Sequence, residues 1–124
     1  MPIIKASAAP EFELPGLKVI GLASPSRASR ETSVFRIAIA PNTPGTIHSF
    51  DREEIIVALN GDAEVMIGNE TLQVSGGDAL IVPAGERFSL ANNSSRPFEA
   101  AIVLPVGGKA AFPTGESCVP PWVA

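Results

Sequence analysis

The chain has 124 residues, a length that suits one domain with a real core, and it is 45% apolar against 18% charged, which excludes a disordered segment. Its net charge is −4 with a pI near 4.9, and Lys5, Arg27, Arg30, Arg36, Arg52, Arg87 and Arg96 lie scattered, so there is no footprint for a phosphate backbone and nucleic acid is excluded as a partner. No apolar run reaches about 18 residues, no charged-then-apolar leader opens the chain and Cys118 has no second cysteine to pair with, so the expectation is a cytoplasmic protein with no membrane span and no disulfide.

Residues 1–33 are loosely patterned, with one short apolar stretch at Leu17–Leu22 that reads as a strand. Ser24-Pro25-Ser26 and the Arg/Ser-rich run to Ser33 read as an exposed loop. Val34–Ala40 then alternates, with Phe35, Ile37 and Ile39 on one parity. Asn60-Gly61 is the strongest hairpin signal, since both central residues of a type I′ turn need positive φ; it joins a strand at Ile55–Leu59 to one at Ala63–Ile67. Gly68-Asn69 leads into Thr71–Val74, and Gly76-Gly77-Asp78 into Ala79–Val82. Pro83-Ala84-Gly85 turns into Phe88–Ala91, and the polar loop Asn92–Pro97 precedes Phe98–Leu104. Short strands with turns every eight to ten residues predict an antiparallel sandwich or barrel, and no stretch holds a helical period for three turns.

Two motifs carry a resemblance. Residues 45–61 contain His48, then Phe50 two positions on, Glu54 after three more residues and Gly61 after six. Further along, Gly77, Pro83, Gly85, Phe88 and Asn92 follow at fixed intervals. These spacings resemble the two motifs of small single-domain cupins: His-x-His, Glu and Gly in the first, and Gly, Pro-x-Gly, His and Asn in the second. Phenylalanine stands at the second and third histidine positions, as Phe50 and Phe88. The resemblance implies an all-β fold, an antiparallel jelly-roll barrel (a double-stranded β-helix of the cupin type-2, RmlC-like kind). The chain 1–124 then forms a single domain with its barrel core at 34–104, an N-terminal strand and loop at 1–33 and a C-terminal tail at 105–124. It also implies a homodimer built through the N-terminal strand and the barrel's outer sheet.

Strand parity puts His48, Phe50, Glu54 and Ile56 on the inner face, with Phe88, Leu90 and Phe35 as further pocket walls. In the family, three histidines and a glutamate hold a metal. Here His48 is the only histidine, so the expectation is no tightly bound cofactor and at most a weak divalent metal on His48 and Glu54. Asp51, Glu53 and Cys118 are the other donors within reach, none at a motif position. Asn92 is expected to cap a turn, and Trp122, in Pro120-Pro121-Trp122, to dock on its own barrel or on a neighbouring subunit.

His48 and Glu54 are expected to face each other in the pocket and to titrate as a unit; on a purely structural reading a hydrogen bond joins them, and on a functional one they act on a bound molecule. Three functions fit these residues. The first is binding of a small, partly apolar molecule without a tight metal. The second is metal-independent isomerase or epimerase chemistry with His48 and Glu54 as the acid/base pair. The third is a metal-dependent oxygenase with a depleted ligand set.

Overall fold

The computed structural model describes residues 1–124. Twelve strands run along the chain: β1 (Glu11–Leu14), β2 (Leu17–Ala23), β3 (Thr32–Ile39), β4 (Ser49–Phe50), β5 (Glu54–Asn60), β6 (Asp62–Ile67), β7 (Glu70–Ser75), β8 (Ala79–Val82), β9 (Phe88–Ala91), β10 (Phe98–Pro105), β11 (Ala110–Ala111) and β12 (Ser117–Cys118). Single 3₁₀ turns sit at Ala6–Ala8 and Pro25–Arg27, and no helix is long and apolar enough to cross a membrane.

Every pairing is antiparallel. One wall is a six-stranded sheet in the order β1-β2-β3-β10-β5-β8. The other consists of two three-stranded sheets, β7-β6-β9 and β12-β11-β4. His48 and Phe88 stitch these two together by exchanging backbone bonds, His48 N to Phe88 O at 3.0 Å and Phe88 N to His48 O at 2.9 Å. The result is the antiparallel jelly roll that the resemblance implies, built of facing sheets and not of one continuously bonded cylinder.

Alternation explains the core. In β3 the buried residues are Ser33, Phe35, Ile37 and Ile39; in β5, Glu54, Ile56 and Ala58; in β10, Phe98, Ala100, Ile102 and Leu104. From the opposite wall Ala63, Val65, Val74 and Phe88 complete the same cluster. Each large apolar side chain so buried contributes roughly 1.5–3 kcal/mol.

Two expectations fail. Asn60-Gly61 does not close a hairpin, because β5 bonds to β10 and β8 while β6 bonds to β7 and β9. Only Gly61 takes positive φ, +83°, whereas a type I′ turn needs it at both central residues. The dipeptide is a corner where the chain passes from one sheet to the other, and a Cβ at Gly61 would collide with the carbonyl oxygen of Pro97. Gly76-Gly77-Asp78 and Pro83-Ala84-Gly85 are crossings of the same kind. The true two-residue hairpin is Gly68-Asn69, which sets Ile67 opposite Glu70.

The run Ser24–Ser33 is likewise not simply an exposed loop, since both end residues are fully buried. It clasps the end of the chain. Arg27 donates from Nε to Leu22 O (2.9 Å) and from Nη2 to Trp122 O (3.2 Å). Ser26 Oγ donates to Ala124 O at 2.8 Å, and Ser33 Oγ to Val123 O at 3.3 Å.

Candidate functional site

Between the walls lies a cavity of about 450 Å³. All seven residues expected there line it: His48, Phe50, Glu54, Ile56, Phe88, Leu90 and Phe35. Glu54 opens β5 opposite Val82, and the period-2 alternation that buries Ile56 and Ala58 turns its carboxyl inward as well. His48 comes from the other wall, fixed by its backbone exchange with Phe88. Its ring lies 4.5 Å from that of Phe88, 5.8 Å from Phe50 and 6.3 Å from Phe112, measured between centroids.

The two polar groups are treated differently by their surroundings. His48 Nδ1 is 2.8 Å from Thr46 O. A carbonyl only accepts, so Nδ1 carries the proton. Burial lowers the imidazole's pKa below 6.5, and the Thr46 bond opposes that only in part. The ring is therefore neutral at pH 7, and Nε2 holds a free lone pair. Glu54 is 2% exposed, and its Oε1 has no hydrogen-bond partner. Burial without a compensating cation pushes its carboxyl up to about 8. Glu54 is thus a neutral carboxylic acid at pH 7.

No hydrogen bond joins His48 to Glu54, contrary to the sequence expectation, and neither group's shift draws on the other. The two groups come from different walls, and burial is the leading cause of each one's shift.

The fit to a metal is poor. No three His, Cys, Asp or Glu side chains converge anywhere in the chain. Beside His48 and Glu54 stand the rings of Phe50 and Phe88, which offer no lone pairs, and structural and catalytic sites generally need three or four protein donors. Of the other donors considered, Asp51 and Glu53 are exposed, and Asp51 Oδ1 accepts from Lys109 N at 2.7 Å. Cys118 reaches the cavity rim from the exposed strand β12. Asn92 is wholly structural: Nδ2 donates to Ile39 O (3.0 Å) and Arg96 O (2.7 Å), and Oδ1 accepts from Ser94 N (2.9 Å) and Ser94 Oγ (2.7 Å).

The sequence pointed to Trp122 docking on its own barrel or on a neighbouring subunit, but not to the tail as a wall of the cavity. Trp122 docks on its own chain, edge-on to Phe12 at 5.9 Å and tilted against Phe35 at 6.3 Å, and it lines the cavity together with Phe112 and Ala110. The available signal was two large aromatics in a segment otherwise rich in proline and glycine.

Comparison with known families matches the cupin domain over residues 35–105. A search of curated proteins found no match to this chain. Among solved structures, the chain is similar to the polyketide cyclase RemF from Streptomyces resistomycificus, with a TM-score of 0.78 at 16% identity over 87% of this chain and 81% of that one. It is similar to KdgF from Halomonas sp., with 0.71 at 17% identity over 85% and 94%. A sugar phosphate isomerase of the cupin superfamily from Silicibacter pomeroyi gives 0.75 at 13% identity over 90% and 81%. Identities this low carry the fold and nothing finer. The family match spans more than half of the length and contains both motifs, His48–Glu54–Gly61 and Gly77–Pro83–Gly85–Asn92, and the chain accordingly belongs to the cupin domain family.

Proposed function

We propose that the chain binds a small, largely apolar molecule in the cavity between its sheets, without a tightly held metal. One observation carries this reading. The cavity is about 450 Å³, within the roughly 300–1,000 Å³ of small-molecule sites, and its walls are mostly hydrophobic with a few polar groups among them. No Lys, Arg or Asp lines it. A sugar phosphate, the substrate class in the name of one structural neighbour, would lack a cation to meet its charge here. The exposed, unpaired Cys118 suits a reducing compartment, so cytoplasmic residence belongs to the same reading.

The test is a titration of the purified protein with a neutral bicyclic hydrocarbon such as tetralin, read by the fluorescence of Trp122, the one tryptophan in a chain without tyrosine. Saturable quenching or a spectral shift, with a rise in melting temperature, is the expected result. A flat titration sinks the proposal. Metal analysis of untagged protein runs beside it: a stoichiometric, chelator-resistant ion would favour the oxygenase reading instead.

A second reading has its own support. Environments that move an acid up and a base down are how proton-transfer pairs are made, and Glu54 and His48 are moved in those directions. Metal-independent isomerase or epimerase chemistry would use Glu54 as acid and His48 Nε2 as base on the same bound molecule.

The proposal includes a homodimer. On the outer face of the six-stranded sheet the register aligns Ile81, Ile55, Val103 and Val34 in one apolar row, and Ile81 is 59% exposed. Sedimentation at twice the monomer mass of 12.9 kDa, lost on Ile81→Glu, is the expected outcome.

A further inference from the structure

The cavity's polar groups form a complementary set. His48 Nδ1 is spent on Thr46 O at 2.8 Å, which leaves Nε2 as an acceptor with no partner in the protein. Glu54 is 98% buried by its 2% exposure, lines the same cavity, and has an unpartnered Oε1. A buried carboxyl without a partner is held as the acid, which makes it a donor. Its terminal torsion is broad, so the carboxyl turns toward a ligand without leaving a rotamer well. Glu54 and His48 therefore offer one buried donor and one acceptor, from different walls, to a space that is otherwise mostly apolar apart from Thr43, Thr46 and Cys118.

We infer that the ligand of this cavity, whose volume is about 450 Å³, is an uncharged compound that offers a carbonyl oxygen to the Glu54 carboxyl and a hydroxyl to Nε2 of His48. The inference rests on the proposed binding reading and narrows it to a chemical class, the neutral hydroxyketones. Carboxylates and phosphates are refused, because no Lys or Arg lines the cavity and Nε2 presents a lone pair to them. Pure hydrocarbons enter but leave both polar groups unpaired. Leaving a buried group unpaired is more costly than a net hydrogen bond is favourable, so the discrimination lies against whatever fails to pair.

The carboxyl of Glu54 titrates at about 8, so its donor role has a pH limit. The other titratable groups on the cavity wall are His48, neutral well below that pH, and Cys118 at the rim; no lysine, arginine or aspartate joins them. Carbonyl preference should fade as pH rises through about 8.

The test compares tetralin, α-tetralone, hydroxytetralone and tetralin carboxylate by calorimetry and by Trp122 fluorescence at neutral pH. Expected affinities rise about fivefold from tetralin to tetralone and about fivefold again to hydroxytetralone, with the carboxylate at least about tenfold weaker than tetralin. Glu54→Leu should bring the tetralone-to-tetralin ratio to about one. His48→Leu should remove the hydroxytetralone advantage while the tetralone advantage persists. Glu54→Gln, whose amide donates at any pH, covers the case in which the leucine variant does not fold: it should keep the tetralone preference above about pH 8, where the wild type loses it. Equal affinities across the neutral compounds, or tightest binding by the carboxylate, overturn the inference and leave the apolar binding site standing. No binding by any compound, tetralin included, sinks both.

Discussion

The two walls of the cavity bury a titratable side chain each, and they do so on different terms. On the β5 wall Glu54 is carried inward by strand alternation and receives nothing in return: its Oε1 has no donor and no cation stands near. On the opposite wall His48 is half-buried, hydrogen-bonded through Nδ1 to the chain two residues back, and packed at a tilt against the ring of Phe88. A polar group held by a local backbone bond contributes to its own placement. One without a partner is tolerated only because its neighbours fix the strand that bears it, which is how binding sites store unfavourable contacts.

The largest way to break that contrast is to remove the carboxyl's ability to ionise. Glu54 has its proton affinity raised in the folded state, from 4.5 to about 8. Between those values the folded chain keeps a proton that the unfolded chain has lost, so stability is full below about 4.5 and falls as pH rises through about 8. At about 1.4 kcal/mol per unit, the whole window is worth roughly 4–5 kcal/mol. His48 acts in the opposite sense: its lowered value means that stability is lost as pH falls below 6.5. Denaturant unfolding between about pH 6.5 and pH 9, above the range in which His48 acts, should therefore give a declining stability in the wild type and a nearly flat one in Glu54→Gln. A slope unchanged by that substitution would show that the carboxyl is paired in solution.

The second test acts on the other wall. Phe88 is 2% exposed and packs its ring 4.5 Å from the imidazole. Phe88→Ala should cost about 3–4 kcal/mol of unfolding free energy, through lost burial and a residual void. It should also let water reach His48, so that the imidazole, followed by NMR against pH, moves back up toward 6.5. A stability loss with no change in the His48 titration would mean that Phe88 fills the core without setting the histidine's environment.

How much of this was legible in the sequence follows the same division. The strands with strict period-2 burial, β3, β5 and β10, were read to within two residues of their ends, as were β8 and β9 at their observed bounds. The parity that placed Glu54, Ile56 and Phe35 inside is a local property of a strand, and the sequence states it directly. The partner of each strand is not local. Asn60-Gly61 looks like a hairpin from its two residues alone, and only the competing pairings of β5 with β10 and of β6 with β9 make it a corner. The two-residue strands β4, β11 and β12 are too short for any period, and the edge strand β1 buries only part of Phe12, so no alternation announces it. For the tail, the docking of Trp122 was legible but not its path, which is set by Arg27, Ser26 and Ser33, 90 or more residues earlier in the chain, through bonds to its backbone that no side-chain pattern encodes. The expected His48–Glu54 bond failed in the same way. Both residues line the cavity as parity requires, but parity within a strand does not say how two different sheets hold their side chains relative to each other.

The smallest expected change in stability belongs to His48→Ala, and it separates a positioned group from a structural one. The side chain is half-buried, and its single hydrogen bond goes to an exposed backbone carbonyl that water satisfies when the ring is gone. Its backbone exchange with Phe88, which stitches the two smaller sheets together, survives the substitution because it uses no side-chain atom. The melting transition should therefore shift by the equivalent of about 1 kcal/mol or less. Binding of a hydroxyl-bearing ligand should weaken about fivefold, since the acceptor at Nε2 is lost and the ligand's hydroxyl is left unpaired in an apolar space. A melting shift several times larger, with ligand affinity intact, would make the imidazole a packing element of the β4–β9 seam and return the whole burden of recognition to Glu54 and the apolar walls.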